Sequence, residues 1–326
     1  MSQYDVTSMC NALVDILIDA KDSDIETLGL TKGIMHLVDD QRQNEVLSHF
    51  EKADPVTELG GSSLNAIRTL ASLDAKTHFA GMVGEDKYGD MIKKRMEELN
   101  IHQSIDISTK STGTCLVLVS PDGERTMNTN LGASRLFDKS LVPTEALKAS
   151  KVFHFCGYQW DTENQIKAIE AAIEISRANN TKVSFDIADP FVVQNHKDTF
   201  LKLIEGFTDI VFANQEEARM LFDSSPEDSA KAIAKMGSIG VIKKGGEGAV
   251  IGYKDELIEI SPIATTVKDT TAAGDMFAAG FLYGLTRDQN LAICGEIAAT
   301  LAADVISRVG ATVSDEAIAK AKNLIH

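Results

Sequence analysis

Cysteine is scarce: four in 326 residues, at positions 10, 115, 156 and 294, with no paired spacing. Such spacing gives no support for a zinc site. Reduced thiols in a cytoplasmic protein are the expectation. The seven histidines show no metal-ligand spacing either. No apolar run reaches the length of a membrane span. The start, MSQYDVTSMC, has no basic segment followed by an apolar one, so no secretory signal is expected. Basic residues are outnumbered, 32 Lys and Arg against 48 Asp and Glu, for a net charge of −16. Nucleic-acid binders usually carry a basic face, and this balance argues against such a partner. Two nucleotide motifs are also missing. A P-loop needs a Gly-Lys dipeptide, and the chain has none. The nearest approach to G-x-G-x-x-G is GEGAVI from Gly246, which ends in Ile251 and opens a strand, not a helix. Fixed-period repeats, low-complexity runs and long Gly/Ser linkers are absent as well.

What remains is the balance of an ordinary globular protein, 44% hydrophobic and 25% charged, long enough to bury a sizeable core. Short β-rich runs such as YDVTSM, THFAGMV, KVFHF, KVSFDI, DIVFAN, GVIKK and AVIGY alternate with segments such as SSLNAIRTLASL, YGDMIKKRMEEL and NQIKAIEAAIEISRA. The latter space apolar residues three and four apart, the period of an amphipathic helix. Such alternation predicts βαβ units and a mostly parallel sheet covered on both faces. From Gly274 onward the chain reads as almost continuous helix. Two stretches break the pattern, 11–38 and 112–131. The second carries PDG, a hairpin-type turn between β-prone flanks. They predict strands outside the main sheet. The economical division is a core of residues 1–15, 39–110 and 132–326 with a small β lid of 16–38 and 111–131.

DTTAAGDMFAAGF, Asp269 to Phe281, is the most pointed stretch. A helix from about Met276 puts Asp275 in its first turn, where the helix dipole favours an anion. The small residues Ala272, Ala273 and Gly274 let backbone N–H groups converge, a nest for a phosphate oxygen or a developing negative charge. An N-cap carboxylate on a tight turn, with no chemistry, is the bland alternative. In GGSSLN, Gly60 and Gly61 precede a helix start; they permit close approach to backbone, and Asn65 could bond hydroxyls. A simple turn and cap explains them equally. Asn11 and Asp15 follow the first strand, where ligand-binding groups of an open α/β sheet are expected. NQEE ends a strand with Asn214 and starts a helix with Glu216 and Glu217; a carboxylate there could orient hydrated Mg²⁺, or simply complement the dipole. KKGGEG, with Lys243, Gly245 and Gly248, is either a nucleotide contact or a plain hairpin. Trp160 reads better as core than as a base-stacking ring.

In this order the motifs GG with Asn65, GMVGEDKYG, NQEE, KKGGEG and DTTAAGD resemble those of the ribokinase-like (PfkB) carbohydrate and nucleoside kinases over nearly the whole chain. DTTAAGD is the most specific: it is similar to the family's D-T-x-G/A-A-G-D signature. Ala272 stands where many members have Gly, and Lys243 where the family often has Thr.

The resemblance implies a three-layer α/β/α sandwich with a small β lid, and an ATP-dependent, cytoplasmic phosphotransferase. Asp275 would be the general base, with the amides of Ala272, Ala273, Gly274 and Asp275 stabilising the transferring phosphoryl group. Asn11, Asp15, Gly60, Gly61 and Asn65 would bind the acceptor. Asn214, Lys243, Gly245 and Gly248 would lie at ATP, and Glu217 would hold Mg²⁺ through water. Many members also use a monovalent cation such as K⁺; Asp269, Thr271, Gly310 and Ser314 are the corresponding positions. TCLVLVSPDGERTMNTNLGAS, FDIADPF, AAGFLYGLTR and NALVDILI resemble the adenosine kinase-like branch. That ranks adenosine, phosphorylated to AMP in purine salvage, or another purine ribonucleoside ahead of ribose, fructose or a related sugar. Partners are then an acceptor and ATP, with the chain a monomer or a homodimer.

Overall fold

A computed structural model describes residues 2–325. Among them run fourteen strands: β1 (Tyr4–Met9), β2 (Leu13–Asp19), β3 (Met35–Leu37), β4 (Val56–Gly60), β5 (Thr77–Gly84), β6 (His102–Ser108), β7 (Gly113–Val119), β8 (Arg125–Asn130), β9 (Ser150–Cys156), β10 (Lys182–Asp186), β11 (Ile210–Asn214), β12 (Ile239–Lys243), β13 (Ala249–Tyr253) and β14 (Glu256–Ile260). They form two sheets. The large one has the order β14-β13-β12-β11-β10-β9-β1-β5-β6. From β6 to β12 every neighbouring pair is parallel; β13 and β14 close one edge as antiparallel strands.

The sheet is covered twice, and the residues say why. In β9, Phe153 and Phe155 face one apolar cluster while Val152 and Cys156 face another. Alternate residues thus bury on opposite faces, as a sheet sandwiched between helices requires. One face meets the helices Ser62–Ser72, Ala273–Leu285 and Leu291–Val305; the other meets Glu163–Ala178, Pro190–Gly206 and Pro226–Lys235. Phe79, Phe153, Phe155, Phe185, Phe200, Phe212 and Phe281 are fully enclosed. Each such side chain contributes about 1.5–3 kcal/mol of burial. Trp160 joins this core, 5.6 Å from Phe200 edge-on, while also meeting the cleft.

The almost continuous helix expected after Gly274 resolves into Ala273–Leu285, Leu291–Val305 and Asp315–Asn323. Asn290 and Ser314 cap the second and third, each accepting a backbone N–H three residues on.

The second sheet, β3-β8-β7-β2-β4, stands off the strand ends. PDG joins β7 to β8, an antiparallel pair, with Gly123 at φ +83°. This sheet begins at Leu13 and also takes in Val56–Gly60, which the sequence reading assigned to the core. VTELG is short and mixed in polarity, so no period marks it as a strand; pairing with β2 makes it one. Because β2 follows β1 after three residues and β4 runs straight into the Ser62–Ser72 helix, the small sheet is tied to the floor of the cleft it covers.

Candidate active site

Asp275 is the third residue of the Ala273–Leu285 helix. It is partly exposed on the wall of a cleft of about 1800 Å³ between the two sheets. That volume exceeds the roughly 300–1,000 Å³ of a single small-ligand pocket, so there is room for two substrates. Oδ1 accepts from Ser62 Oγ at 2.6 Å and Oδ2 from Asn65 Nδ2 at 3.0 Å. Burial pushes the carboxyl up to about 6, and the two donors pull against it. The group is therefore ionised at neutral pH and still basic enough to take a proton.

Ala272 precedes the helix at φ +58°, ψ 6°, the left-handed region. That kink bends Thr270–Gly274 over the helix mouth, and a non-glycine residue there costs about 1–2 kcal/mol. Ala273 N bonds Thr270 O, while the first-turn amides of Gly274 and Asp275 have no backbone acceptor among the described residues. These are orphan donors at the positive end of a helix dipole, on residues that line the cleft.

Lys243, at the end of β12, reaches the same spot. A Cβ added to Gly274 would sit 3.0 Å from Lys243 Nζ. The ammonium is paired with Asp186 at 3.2 Å, and both side chains are largely buried. Burial presses Lys243 towards neutrality, but the carboxylates of Asp186 and Glu217 outweigh it, so its pKa lies above the usual lysine value. Asn214 and Glu217 form a reciprocal capping box: Asn214 Oδ1 accepts the Glu217 amide at 2.9 Å, and Glu217 accepts Asn214 N at 2.8 Å and Nδ2 at 2.7 Å. Burial drives Glu217 up to about 7, with Lys243 pulling the other way. Gly245, at φ +61°, and Gly248, at φ +88°, shape the β12–β13 turn on the cleft wall. A Cβ on Gly248 would strike Ile260 O, so β14 fixes that glycine.

Across the cleft, Asp15 lies on β2 of the small sheet and lines the cleft. Burial pushes it up to about 7, with the guanidiniums of Arg125 and Arg68 opposing. Any Cβ on Gly60 would collide with the Asp15 carboxylate, and any on Gly61, at φ +101°, with Asn11 O. The two glycines thus admit protein groups to the backbone. Asn11 lines the cleft with its Oδ1 held by Gln165 Nε2 at 2.7 Å. Asn65 stands behind Asp275, its Oδ1 accepting Arg68 Nη1 at 3.1 Å. Both ends of its amide are therefore engaged by protein.

Asp269, Thr271 and Gly310 come together: Asp269 Oδ1 accepts Thr271 N at 3.0 Å and Oδ2 accepts Gly310 N at 2.9 Å. Asp269 also pairs with Arg125 of β8. Ser314 turns elsewhere, its Oγ donating to Asp304 Oδ1 at 2.7 Å. Sequence reasoning missed Ser62, Asp186 and Arg125. Asp186 ends a strand within FDIADPF, the place where functional groups of parallel sheets gather; Ser62 and Arg125 carried no signal of their own.

With this geometry in place, comparison with known proteins gives a consistent result. The model of the pfkB family of carbohydrate kinases matches residues 22–318. A structure of a probable sugar kinase from Rhizobium etli superposes with a TM-score of 0.92, at 31% identity and covering 99% of both chains. The adenosine kinase of Sinorhizobium meliloti superposes with a TM-score of 0.91 at 30% identity, again covering 99% of both chains. Adenosine kinase 2 of Arabidopsis thaliana is 25% identical over 97% of this chain and 98% of its own. No helix among the described residues is long and apolar enough to cross a membrane. The chain belongs to the pfkB carbohydrate kinase family, with the ribokinase-like fold, and is a phosphotransferase acting on a hydroxyl group.

Proposed function

We propose that this kinase transfers the γ-phosphoryl group of ATP to a primary hydroxyl of a purine ribonucleoside, with adenosine as the first candidate. The observation that carries the reaction is the Asp275 carboxylate standing beside the free first-turn amides of its own helix. The acceptor hydroxyl lies against Asp275 and gives it a proton as its oxygen attacks the γ-phosphorus. The bond to the β-phosphate oxygen breaks, ADP leaves, and the amides of Ala272, Gly274 and Asp275 carry the charge on the transferring oxygens, the Ala273 amide being committed to Thr270 O. Lys243 adds a positive charge at Gly274.

Magnesium fits as a passenger of the nucleotide. Among the described residues no group of three acidic, histidine or cysteine side chains could hold a metal ion. Glu217 and Asp186 are buried beside the nest and suit a hydrated ion that keeps its waters. When bound, Mg²⁺ would neutralise phosphate charge, with Glu217 and Asp186 as its outer anions.

A nucleoside rather than a bare sugar is favoured by the walls near Asp15. Leu13, Met35, Leu37, Met127 and Leu131 line the cleft there. A purine ring can bury against such a surface, and methionines adapt to flat apolar groups. A free sugar, with hydroxyls all round, would leave them unmatched. Four free thiols suit a reducing, cytoplasmic setting.

The test is ADP release with a panel of adenosine, inosine, guanosine, cytidine, ribose and fructose. Turnover with adenosine at a kcat/KM at least tenfold above every sugar supports the reading. Preference for a sugar overturns the acceptor assignment, and no turnover at all overturns the kinase chemistry drawn here.

A further inference from the structure

The loop that bends over the Asp275 helix begins at a carboxylate that already has its counter-ion. Asp269 is 5% exposed. Its Oδ1 is taken by the Thr271 amide and its Oδ2 by the Gly310 amide and the Arg125 guanidinium. Arg125 comes from β8 of the small sheet, and its side chain keeps only 10% of its exposure in this pair. Ser314, the remaining residue of the expected cation set, is committed to Asp304 and to capping the last helix. These residues do not fit a monovalent cation. An added ion would sit beside a buried guanidinium, where like charges repel strongly at low dielectric. It would also find the Asp269 oxygens accepting three donors already.

We infer that Arg125 is the built-in occupant of this position, and that the kinase therefore works without a monovalent cation. The guanidinium supplies what such an ion would: one fixed positive charge behind the turn Asp269–Asp275, paired with the Asp269 carboxylate and holding the turn in shape. Its planar fork can bond a carboxylate edge while keeping its charge at every accessible pH. The inference rests on the phosphotransferase reading only for its rate measurement; the melting measurement stands apart from it.

The experiment compares the wild type with Arg125→Ala in KCl, NaCl, CsCl and N-methylglucamine chloride at equal ionic strength. ADP release with the best acceptor of the panel and the melting temperature are both read. For the wild type, rates within twofold and melting temperatures within about 1 °C across all four salts are expected. More than fivefold activation by K⁺ over N-methylglucamine overturns the inference. In Arg125→Ala, the uncovered Asp269 is expected to recruit an ion, so K⁺ raises the melting temperature above that in N-methylglucamine and restores at least fivefold of the lost rate. A variant whose melting temperature is unmoved by any cation, or one as fast as the wild type in every salt, overturns the role given to the guanidinium. Absence of ADP release from the wild type in all salts counts against the kinase chemistry instead, and the two melting comparisons still decide whether Asp269 is already occupied.

Discussion

Asn65 donates its side-chain amide to Asp275 across 3.0 Å, from a helix 210 residues away in sequence. With Ser62 at 2.6 Å it fixes both carboxylate oxygens and stabilises the charged form. The base is held in orientation by the helix that follows Gly60 and Gly61, the glycines that pack against Asp15 and Asn11.

The first consequence is a pH profile. Asp275 titrates at about 6, and its protonated form cannot accept the hydroxyl proton. The kcat/KM should fall about tenfold per pH unit below about 6. Removing a donor to the carboxylate raises its pKa, so Asn65→Ala should move this limb upward, towards neutral pH. Measurement of kcat/KM from pH 5 to 8 in both proteins checks the sign; a downward shift would contradict it.

Asp275→Asn should retain nucleotide and acceptor binding and lose at least ~100-fold in kcat, the lower range for general acid–base catalysis. Titration calorimetry for binding and steady-state rates for turnover separate the two. Near-normal turnover would remove Asp275 from its role.

Lys243 and Asp186 should be separable by a double variant. Lys243→Met strands a buried carboxylate and should cost about 3 kcal/mol or more of stability together with ~10–100-fold in kcat. Lys243→Met combined with Asp186→Asn should recover much of the stability and none of the rate. Urea unfolding and kcat, measured side by side, distinguish an electrostatic part in phosphoryl transfer from a structural pair.

Ala272 stands at φ +58° without being glycine. Ala272→Gly should stabilise the fold by about 1 kcal/mol, since glycine carries no Cβ penalty there. A lower unfolding midpoint would show that the loop gains more from alanine's restricted unfolded state than it loses in strain.

Asp15 should govern acceptor binding. Asp15→Ala should raise the acceptor KM more than tenfold with a smaller change in kcat. Gly60→Ala should act in the same direction, because its methyl group collides with the Asp15 carboxylate. Asp15 ionises near 7, and an ionised carboxylate accepts hydroxyls better. Acceptor binding should therefore tighten as pH rises through 7, read as Kd at pH 6 and 8.

Much of this was legible in the chain itself. The parallel strands announced themselves as short apolar runs between amphipathic helices, because both faces of the sheet are buried. Asp275 and its amides were visible because small residues and a carboxylate at a helix mouth are local chemistry. Val56–Gly60 was not visible, since a short strand of mixed polarity gains its identity only from its neighbour β2. Nor was the employment of Asn65: the sequence offered it to the acceptor, and the fold engages its amide with Asp275 and Arg68.

The sequence alone determined the layer architecture, the turn that frees the amides and the carboxylate beside them, because each follows from residue type and near spacing. The tertiary structure decided who meets whom. Asp186 finds Lys243 from 57 residues away, and Arg125 closes on Asp269 from 144. Those contacts arise only when crossovers carry separate strand ends to one cleft, and no local pattern encodes a distance of that kind.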